Sequence, residues 1–345
     1  MRYLGLFAAA FTALALAPGA RAEELTVVSW GGAYQKAQTE IYFEPFVKAT
    51  GVKLVQDSWD GGIGILRSKV EAGNPAWDVV QVESEELQVG CEEGVFEKLD
   101  WARIGGKDAY LPSAVSPCGV GAILYNFVLA YDADKINDGP KTWADFFNTA
   151  KWPGKRALRK GPKTNLEIAL MADGVPASQV YKTLATPAGV DRAFAALDRI
   201  KPQLVWWEAG AQPPQLLASG EVAMASAYNG RIAAANKANQ RHFQMVWTGS
   251  LYTLDSWVIL KGSKNTDAAY KFLAFAGEAQ NQAKLPPLIP YGVTSKQAGS
   301  LIPAALLQEL PTSPQHLDES LHIDDAFWTE NIDRLNQRFN AWVGK

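Results

Sequence analysis

Residues 25–34 read LTVVSWGGAY, an apolar run followed by two glycines and the start of an amphipathic segment. The apolar run predicts a buried strand, and Gly31 with Gly32 predicts a tight turn. Residues 33–50 predict a helix, because their apolar side chains recur at helical spacing. A strand that passes through a tight turn into a helix is the repeating unit of an α/β sheet.

The same unit recurs along the chain. Residues 52–59 and 77–82 predict two further strands, each followed by a helix. Later predicted strands alternate with helices and cover residues 156–159, 204–207, 222–228, 243–247 and 252–260. Strands that alternate with helices favour mostly parallel sheets flanked by helices.

A long apolar segment at residues 120–130 interrupts this alternation, and we place two crossings between lobes near residues 127 and 249. We therefore predict an α/β protein with two lobes, each a mostly parallel sheet flanked by helices, joined by two crossover strands. The predicted bounds are residues 23–127 and 250–300 for lobe 1, and residues 128–249 and 301–345 for lobe 2.

The first 22 residues have the layout of a cleavable secretory signal. Arg2 precedes an apolar run over residues 3–18, and a small-x-small end lies at residues 20–22. We expect the mature chain to begin at Glu23 and to be exported to the periplasm. No later segment reaches the roughly 20 apolar residues that a spanning helix needs, so we predict no transmembrane segment.

The chain has two cysteines, Cys91 and Cys118. In an oxidising compartment an even pair favours a disulfide, and two buried free thiols are the alternative. Neither interpretation supplies a reactive nucleophile.

Composition and motifs argue against several function classes. The formal net charge is −3, and removal of the signal would make the chain more acidic, which speaks against nucleic acid as a partner. The basic stretch at residues 151–163 is interrupted by prolines and a glycine, and we interpret it as a solvated loop and strand. We find no serine elbow, metal-ligand spacing or phosphate loop. We predict no catalysis, no metal and no cofactor, with an enzyme on the same fold as the alternative.

Ligands of open α/β sheets bind beyond the carboxyl ends of the strands. The side chains expected there are mostly aromatic or ionisable, and they are Trp30, Tyr34, Trp59, Asp60, Glu83, Ser84, Trp206, Trp207, Glu208, Tyr228 and Arg231. Asp255 lies inside an apolar strand, where a buried carboxylate needs a cation or hydrogen bonds. Because carboxylates and aromatic faces both attract ammonium groups, the pattern predicts a small amine ligand. A structural ion pair of Asp255 is the alternative.

Four segments resemble the spermidine/putrescine-binding family of ABC importer receptors. They are LTVVSWGGAY at 25–34, VAMASAYNGR at 222–231, LDSW at 254–257 and IPYG at 289–292. The resemblance covers nearly the whole mature chain. It implies a type II periplasmic-binding fold whose two lobes close over the ligand.

The resemblance also implies individual roles. Trp30 and Tyr34 match the aromatic clamp of the first lobe, and Asp255 matches the amine-binding aspartate. The remaining matches are Tyr228 at a position where the family has tryptophan, Tyr291 as an aromatic wall, and Glu167 as an acidic residue that holds the far amine.

Departures from the family pattern bear on the ligand. Thr164 and Thr253 replace an acidic residue and a tryptophan of the family, so fewer groups remain to bind a long polycation. Arg231 follows an Asn-Gly turn at a helix start, where a guanidinium suits a carboxylate. This combination resembles the family branch that binds γ-aminobutyrate. An ion pair of Arg231 with Glu208 or Glu167 is the alternative.

The predicted ligand is therefore a putrescine- or spermidine-like polyamine or an ω-amino acid such as γ-aminobutyrate. The resemblance implies that the protein captures this ligand in the cleft between its lobes. It then delivers the ligand to an inner-membrane ABC permease and its ATPase. We expect the receptor to be a monomer.

Overall fold

The computed structural model describes residues 23–344, so the predicted signal at residues 1–22 lies outside the described residues. The strands are β1 (Glu24–Ser29), β2 (Lys53–Ser58), β3 (Val79–Glu83), β4 (Gly119–Asp132), β5 (Arg156–Arg159), β6 (Leu204–Trp207), β7 (Met224–Tyr228), β8 (Phe243–Ile259) and β9 (Leu321–His322). The helices that carry the site begin at the ends of these strands.

The α-helices are α1 (Gly32–Gln38), α2 (Glu44–Thr50), α3 (Ile63–Glu71), α4 (Ser84–Glu92), α5 (Trp143–Phe147), α6 (Asn165–Ala172), α7 (Val180–Leu184), α8 (Pro187–Asp198), α9 (Gln212–Ser219), α10 (Asn229–Asn239), α11 (Thr266–Gly277), α12 (Ala279–Gln282), α13 (Ala304–Leu307), α14 (Pro314–Glu319) and α15 (Asp325–Val343). None of the helices between residues 23 and 344 is both long and apolar enough to cross a membrane.

The strands form one hydrogen-bonded sheet in the order β2-β1-β3-β8-β4-β7-β5-β6, with β9 added beside β8. Strands β2, β1 and β3 are mutually parallel and form the first strand group. Strands β7, β5 and β6 are also parallel and form the second strand group. The antiparallel pair β4 and β8 joins the two groups. The prediction of parallel groups joined by two crossing strands is confirmed.

The two crossing strands are long and pair with each other, while β8 also pairs with β3 of the first group and β4 with β7 of the second. β4 has 14 residues, all buried, and β8 has 17 residues. The sequence predicted two separate strands divided at Gly249, and this prediction is wrong. Gly249 lies inside β8 and has a φ of 72°. Its carbonyl oxygen accepts a hydrogen bond of 2.7 Å from the indole N–H of Trp143. Its left-handed conformation creates an irregularity in the ladder and does not end the strand.

The first strand–turn–helix unit agrees with the prediction from residues 25–34. Leu25, Val27 and Val28 are fully buried. The predicted helix over residues 33–50 is interrupted by a π-helical turn at Thr39–Phe43. Pro45, near the start of α2, has no backbone N–H to donate, which accounts for the shift in hydrogen bonding just before it.

The predicted disulfide between Cys91 and Cys118 is confirmed. The two Cα atoms lie 5.7 Å apart, and the bond joins α4 to the residue before β4. Cys118 is completely buried in a small apolar cluster with Phe96 and Val258. Both cysteines of the chain are therefore in the disulfide.

Candidate ligand-binding site

A cleft lies where the carboxyl ends of the first strand group face those of the second. Its walls are lined by Trp30, Tyr34, Trp59, Asp60, Glu83, Ile123, Tyr125, Arg159, Glu208, Gly210, Tyr228, Arg231, Asp255 and Tyr291. The space between these walls measures about 430 Å³, counting the part that opens to solvent. Parallel strands bring their carboxyl ends to one edge, which explains why residues far apart in sequence meet here.

Six of the fourteen residues that line the cleft are aromatic. Trp30 stacks on Trp59 with ring centroids 5.3 Å apart. Tyr34 meets Tyr291 edge to face at 5.3 Å, and further rings from Tyr125 and Tyr228 adjoin them. Ring faces of this kind attract a cation through their negative quadrupole.

Asp255 provides a buried carboxylate among these rings. It is only 4% exposed, and its Oδ2 accepts one long hydrogen bond of 3.3 Å from Gln81. Its Oδ1 has no hydrogen-bond partner. The nearby cations Arg159 and Lys163 pair with Glu83 and not with Asp255. Burial, aided by the nearby Glu83 carboxylate, raises the pKa of Asp255 well above its usual range. The alternative of a structural ion pair therefore finds no support, and the group has unused capacity to bind a cation.

Gln81 holds the groups at the base of the cleft. Its side-chain amide donates to the Tyr34 hydroxyl at 2.8 Å as well as to Asp255. Its carbonyl oxygen accepts from Gln38 at 2.9 Å and from Ser29 at 3.2 Å. These four bonds leave the Gln81 amide a single orientation, and they fix Tyr34 and Asp255 relative to each other.

Arg231 reaches the cleft from the start of α10. Its guanidinium donates to the backbone carbonyls of Gly31 at 2.9 Å and Trp30 at 2.8 Å. The Nε atom is buried without a hydrogen-bond partner. The suggested ion pairs are absent from the described residues, since Glu208 pairs with Lys160 and Glu167 bonds to Tyr181 and Trp328. The guanidinium is therefore oriented by carbonyls and not neutralised by an acid.

Two glycines allow these close approaches. A Cβ on Gly32 would lie 2.7 Å from Nη1 of Arg231, and Gly32 has a φ of 56°. A Cβ on Gly230 would lie 2.5 Å from the Tyr291 ring. Side chains at either position would push Arg231 or Tyr291 out of place.

Glu83 faces the cleft, but it is already paired. Its carboxylate accepts from Arg159 at 2.5 Å and from Lys163 at 2.9 Å. Burial alone would raise the pKa of Glu83, but the two cations outweigh it and lower the pKa to about 2. The group is therefore ionised at neutral pH and compensated within the protein.

Three predicted site residues lie outside the cleft walls. Ser84 bonds to Thr253 and to the Leu254 carbonyl, and Trp207 is fully buried behind Tyr228. Glu167 is fully buried in α6, where burial raises its pKa to about 7. The other predicted residues, Trp30, Tyr34, Glu83, Tyr228, Arg231, Asp255 and Tyr291, line the cleft together.

Trp59, Asp60 and Glu208, which the strand-end rule also indicates, line the cleft as well. Two further lining residues, Arg159 and Tyr125, are outside the predicted set. Arg159 ends β5 and lies in the basic stretch that was interpreted as solvated, although its side chain is only 17% exposed. Tyr125 lies within the continuous apolar run of β4, where the sequence offers no signal that distinguishes a wall residue from a core residue.

Comparisons with known proteins agree with this architecture. A family model described as bacterial extracellular solute-binding protein matches residues 42–311. A gamma-aminobutyric acid-binding protein of Pseudomonas aeruginosa is 47% identical over 99% of this chain and 96% of the relative. The putrescine-binding periplasmic protein PotF of Escherichia coli is 24% identical over 87% of this chain and 86% of the relative.

A solved structure described as the Atu4243-GABA receptor is 36% identical, with a TM-score of 0.81 over 93% of this chain and 99% of that one. The predicted two-lobed type II periplasmic-binding fold is thereby confirmed. The comparisons point to a solute-binding protein and away from an enzyme. Because one family model covers most of the chain, this protein belongs to the bacterial extracellular solute-binding protein family.

Proposed function

We propose that this protein is a periplasmic receptor that binds γ-aminobutyrate, or a closely similar ω-amino acid, and delivers it to an ABC permease. The observation that carries this proposal is the presence, in one aromatic cleft, of a carboxylate without a cation and a guanidinium without an acid. A molecule with an ammonium at one end and a carboxylate at the other satisfies both groups at once.

The ammonium is assigned to Asp255. Oδ1 of this carboxylate is buried and has no partner, and the rings of Tyr34, Tyr125 and Tyr291 surround it. Bringing an ammonium against Asp255 favours its ionised form, because an opposite charge offsets the cost of burial. The rings exclude water and add cation–π attraction.

The carboxylate is assigned to Arg231. Two of its nitrogens are held by the carbonyls that follow β1, so the guanidinium plane is fixed before a ligand arrives. The unpartnered Nε is one of the donors with which arginine grips a carboxylate in a bidentate manner. Fixed donors cost little ordering entropy on binding.

Polyamines fit the same walls less well. A diamine would place a second ammonium near Arg159 and Lys163, which already compensate Glu83. Glu167, predicted to hold a distal amine, is bonded to Tyr181 and Trp328. We therefore assign Glu167 a structural role and keep putrescine as the second candidate ligand, on the strength of the relatives that bind it.

Delivery requires a mobile receptor. We propose lobes at residues 23–127 with 250–300 and at residues 128–249 with 301–345, which hinge about β4 and β8. The closed form carries the ligand in the periplasm to the permease, whose ATPase drives uptake, and the receptor acts as a monomer. A relative described as a gamma-aminobutyric acid-binding protein and a solved structure described as a GABA receptor support the role in ligand binding.

Isothermal titration calorimetry tests the ligand assignment. The purified mature chain is titrated with γ-aminobutyrate, with n-butylamine and butyrate, which each lack one charged end, and with putrescine. We expect γ-aminobutyrate to bind, and each one-charge analogue to bind at least roughly 100-fold more weakly, because each leaves a buried charge unpaired. Binding of putrescine or butylamine as tight as that of γ-aminobutyrate would refute the proposal.

A further inference from the structure

A buried cluster of charges crosses the cleft beside Asp255. Glu83 and Glu85 come from the junction of β3 and α4, and Arg159 and Lys163 come from the end of β5 and the loop after it. Lys163 bonds to Glu83 at 2.9 Å and also to Glu85, while Arg159 bonds to Glu83 at 2.5 Å. The side chain of Lys163 is only 7% exposed. We call these four residues the bridging cluster.

The bridging cluster is adjacent to the amine end of the cleft. In the antiparallel register of β3 and β8, Glu83 is directly opposite Asp255. Directly opposite residues project to the same face of a sheet, so the two carboxylates are neighbours. Both line the cleft, together with Arg159. Two adjacent carboxylates are the arrangement that two ammonium groups of one ligand would favour.

The cations of the bridging cluster remove that preference. Arg159 and Lys163 satisfy both oxygens of Glu83 from within the chain. A second ligand ammonium at Glu83 would have to displace one of these buried partners and would meet the charge of the other. Like charges brought together without water are strongly disfavoured.

We propose that Lys163, assisted by Arg159, is the residue that makes the cleft reject diamines. Its ammonium occupies the place at Glu83 and Glu85 that the second ammonium of a diamine would take, so the cleft admits ligands with a single ammonium. This inference deepens the proposed function and depends on it. The positive charge of Lys163 repels the second ammonium of a diamine. It does not affect a ligand with one ammonium, so it lowers the affinity for the diamine alone.

The test replaces Lys163 with neutral side chains and compares two ligands. Lys163→Met removes the charge and keeps most of the stem, and Lys163→Gln also keeps donors for Glu83 and Glu85 in case the methionine variant unfolds. Calorimetry gives the dissociation constants of γ-aminobutyrate and putrescine. We expect putrescine affinity relative to γ-aminobutyrate to rise by roughly tenfold or more in both variants.

Two controls separate the local effect from a general change in charge. Lys163→Arg retains the positive charge and should keep the wild-type ratio. Lys155→Met removes an exposed lysine of the same basic stretch that does not line the cleft, and it should also keep the ratio. An unchanged ratio in folded Lys163→Met and Lys163→Gln, or an equal rise in Lys155→Met, would overturn the inference. Failure of the wild type to bind γ-aminobutyrate would instead refute the proposed function.

Discussion

The guanidinium of Arg231 donates a 2.8 Å hydrogen bond to the carbonyl oxygen of Trp30, although 201 residues separate the two in the chain. Trp30 follows β1 of the first strand group, and Arg231 begins the helix that follows β7 of the second. One side chain thus joins the two sides of the cleft and also lines it. A ligand carboxylate that binds Arg231 therefore also affects the hydrogen bonds by which Arg231 joins the two sides of the cleft.

Replacing Arg231 with lysine keeps the charge and removes the planar fork. We expect γ-aminobutyrate affinity to fall by roughly 10- to 100-fold in Arg231→Lys, because bonds between charged partners contribute about 1.5–3 kcal/mol. Binding of n-butylamine, which has no carboxylate, should change little. Calorimetry measures both ligands, with the exposed Arg241→Lys as the matched control. Equal losses for both ligands would show that Arg231 acts through the fold alone.

Gly230 allows Tyr291 to pack against the start of α10. Gly230→Ala would place a methyl group 2.5 Å from the Tyr291 ring and 2.7 Å from Ile289. We expect a loss of about 1–3 kcal/mol in unfolding free energy from overpacking, together with weaker γ-aminobutyrate binding. Gly299→Ala is the matched control, since no atom lies within 4 Å of its added Cβ. Full stability and binding in Gly230→Ala would show that the ring moves at no cost.

The pH dependence of stability reports on Glu86, a buried carboxyl at the first turn of α4. Burial and the neighbouring Glu83 and Glu85 carboxylates raise the pKa of Glu86 from 4.5 to about 8. A carboxyl whose pKa is raised in the folded state costs nothing below pH 4.5 and destabilises the fold as pH rises toward 8.

Urea unfolding at pH 5 and pH 8 measures this contribution. We expect the wild type to lose roughly 3 kcal/mol more than Glu86→Gln between these pH values, because glutamine does not titrate. A parallel pH dependence in the two proteins would show that Glu86 titrates normally.

Removing the disulfide should affect stability and not binding. The Cys91–Cys118 bond closes a loop with a sequence separation of 27, which corresponds to about 3–4 kcal/mol of unfolding free energy. Neither cysteine lines the cleft. We expect the double Cys91→Ala, Cys118→Ala variant to unfold at lower denaturant concentration and to bind γ-aminobutyrate as the wild type does. Lost affinity in the folded variant would show that the bond positions the cleft.

Much of the fold is readable from local patterns. β5 and β6 begin and end at the predicted residues, and the first strand–turn–helix unit differs by one or two residues at its ends. The strand-end rule also identified Trp30, Tyr34, Glu83, Tyr228 and Arg231, which line one cleft, whereas Tyr291 came from the family resemblance alone. Both predictions rest on hydrophobic periodicity and on the direction of the chain. These are properties of short segments, so they can be read from the local sequence.

The failures involve partners that are distant in sequence. Glu167 looked free to bind an amine, but its carboxylate is bonded to the indole of Trp328, 161 residues away. Lys163 looked solvated, but Glu83 and Glu85 pair with it across the cleft. A local pattern gives the type of a side chain but not which distant group will neutralise it.

In the proposed function the carboxylate of Asp255 binds the ligand ammonium, and the variant Asp255→Asn tests this contact. Asparagine keeps the shape and removes a buried carboxyl group that has no cation partner, so the thermal midpoint without ligand should not fall. Calorimetry on this variant should show γ-aminobutyrate affinity reduced at least roughly 100-fold, as expected for loss of a buried charge pair. Near wild-type affinity in the folded Asp255→Asn variant would show that Asp255 does not bind the ligand ammonium.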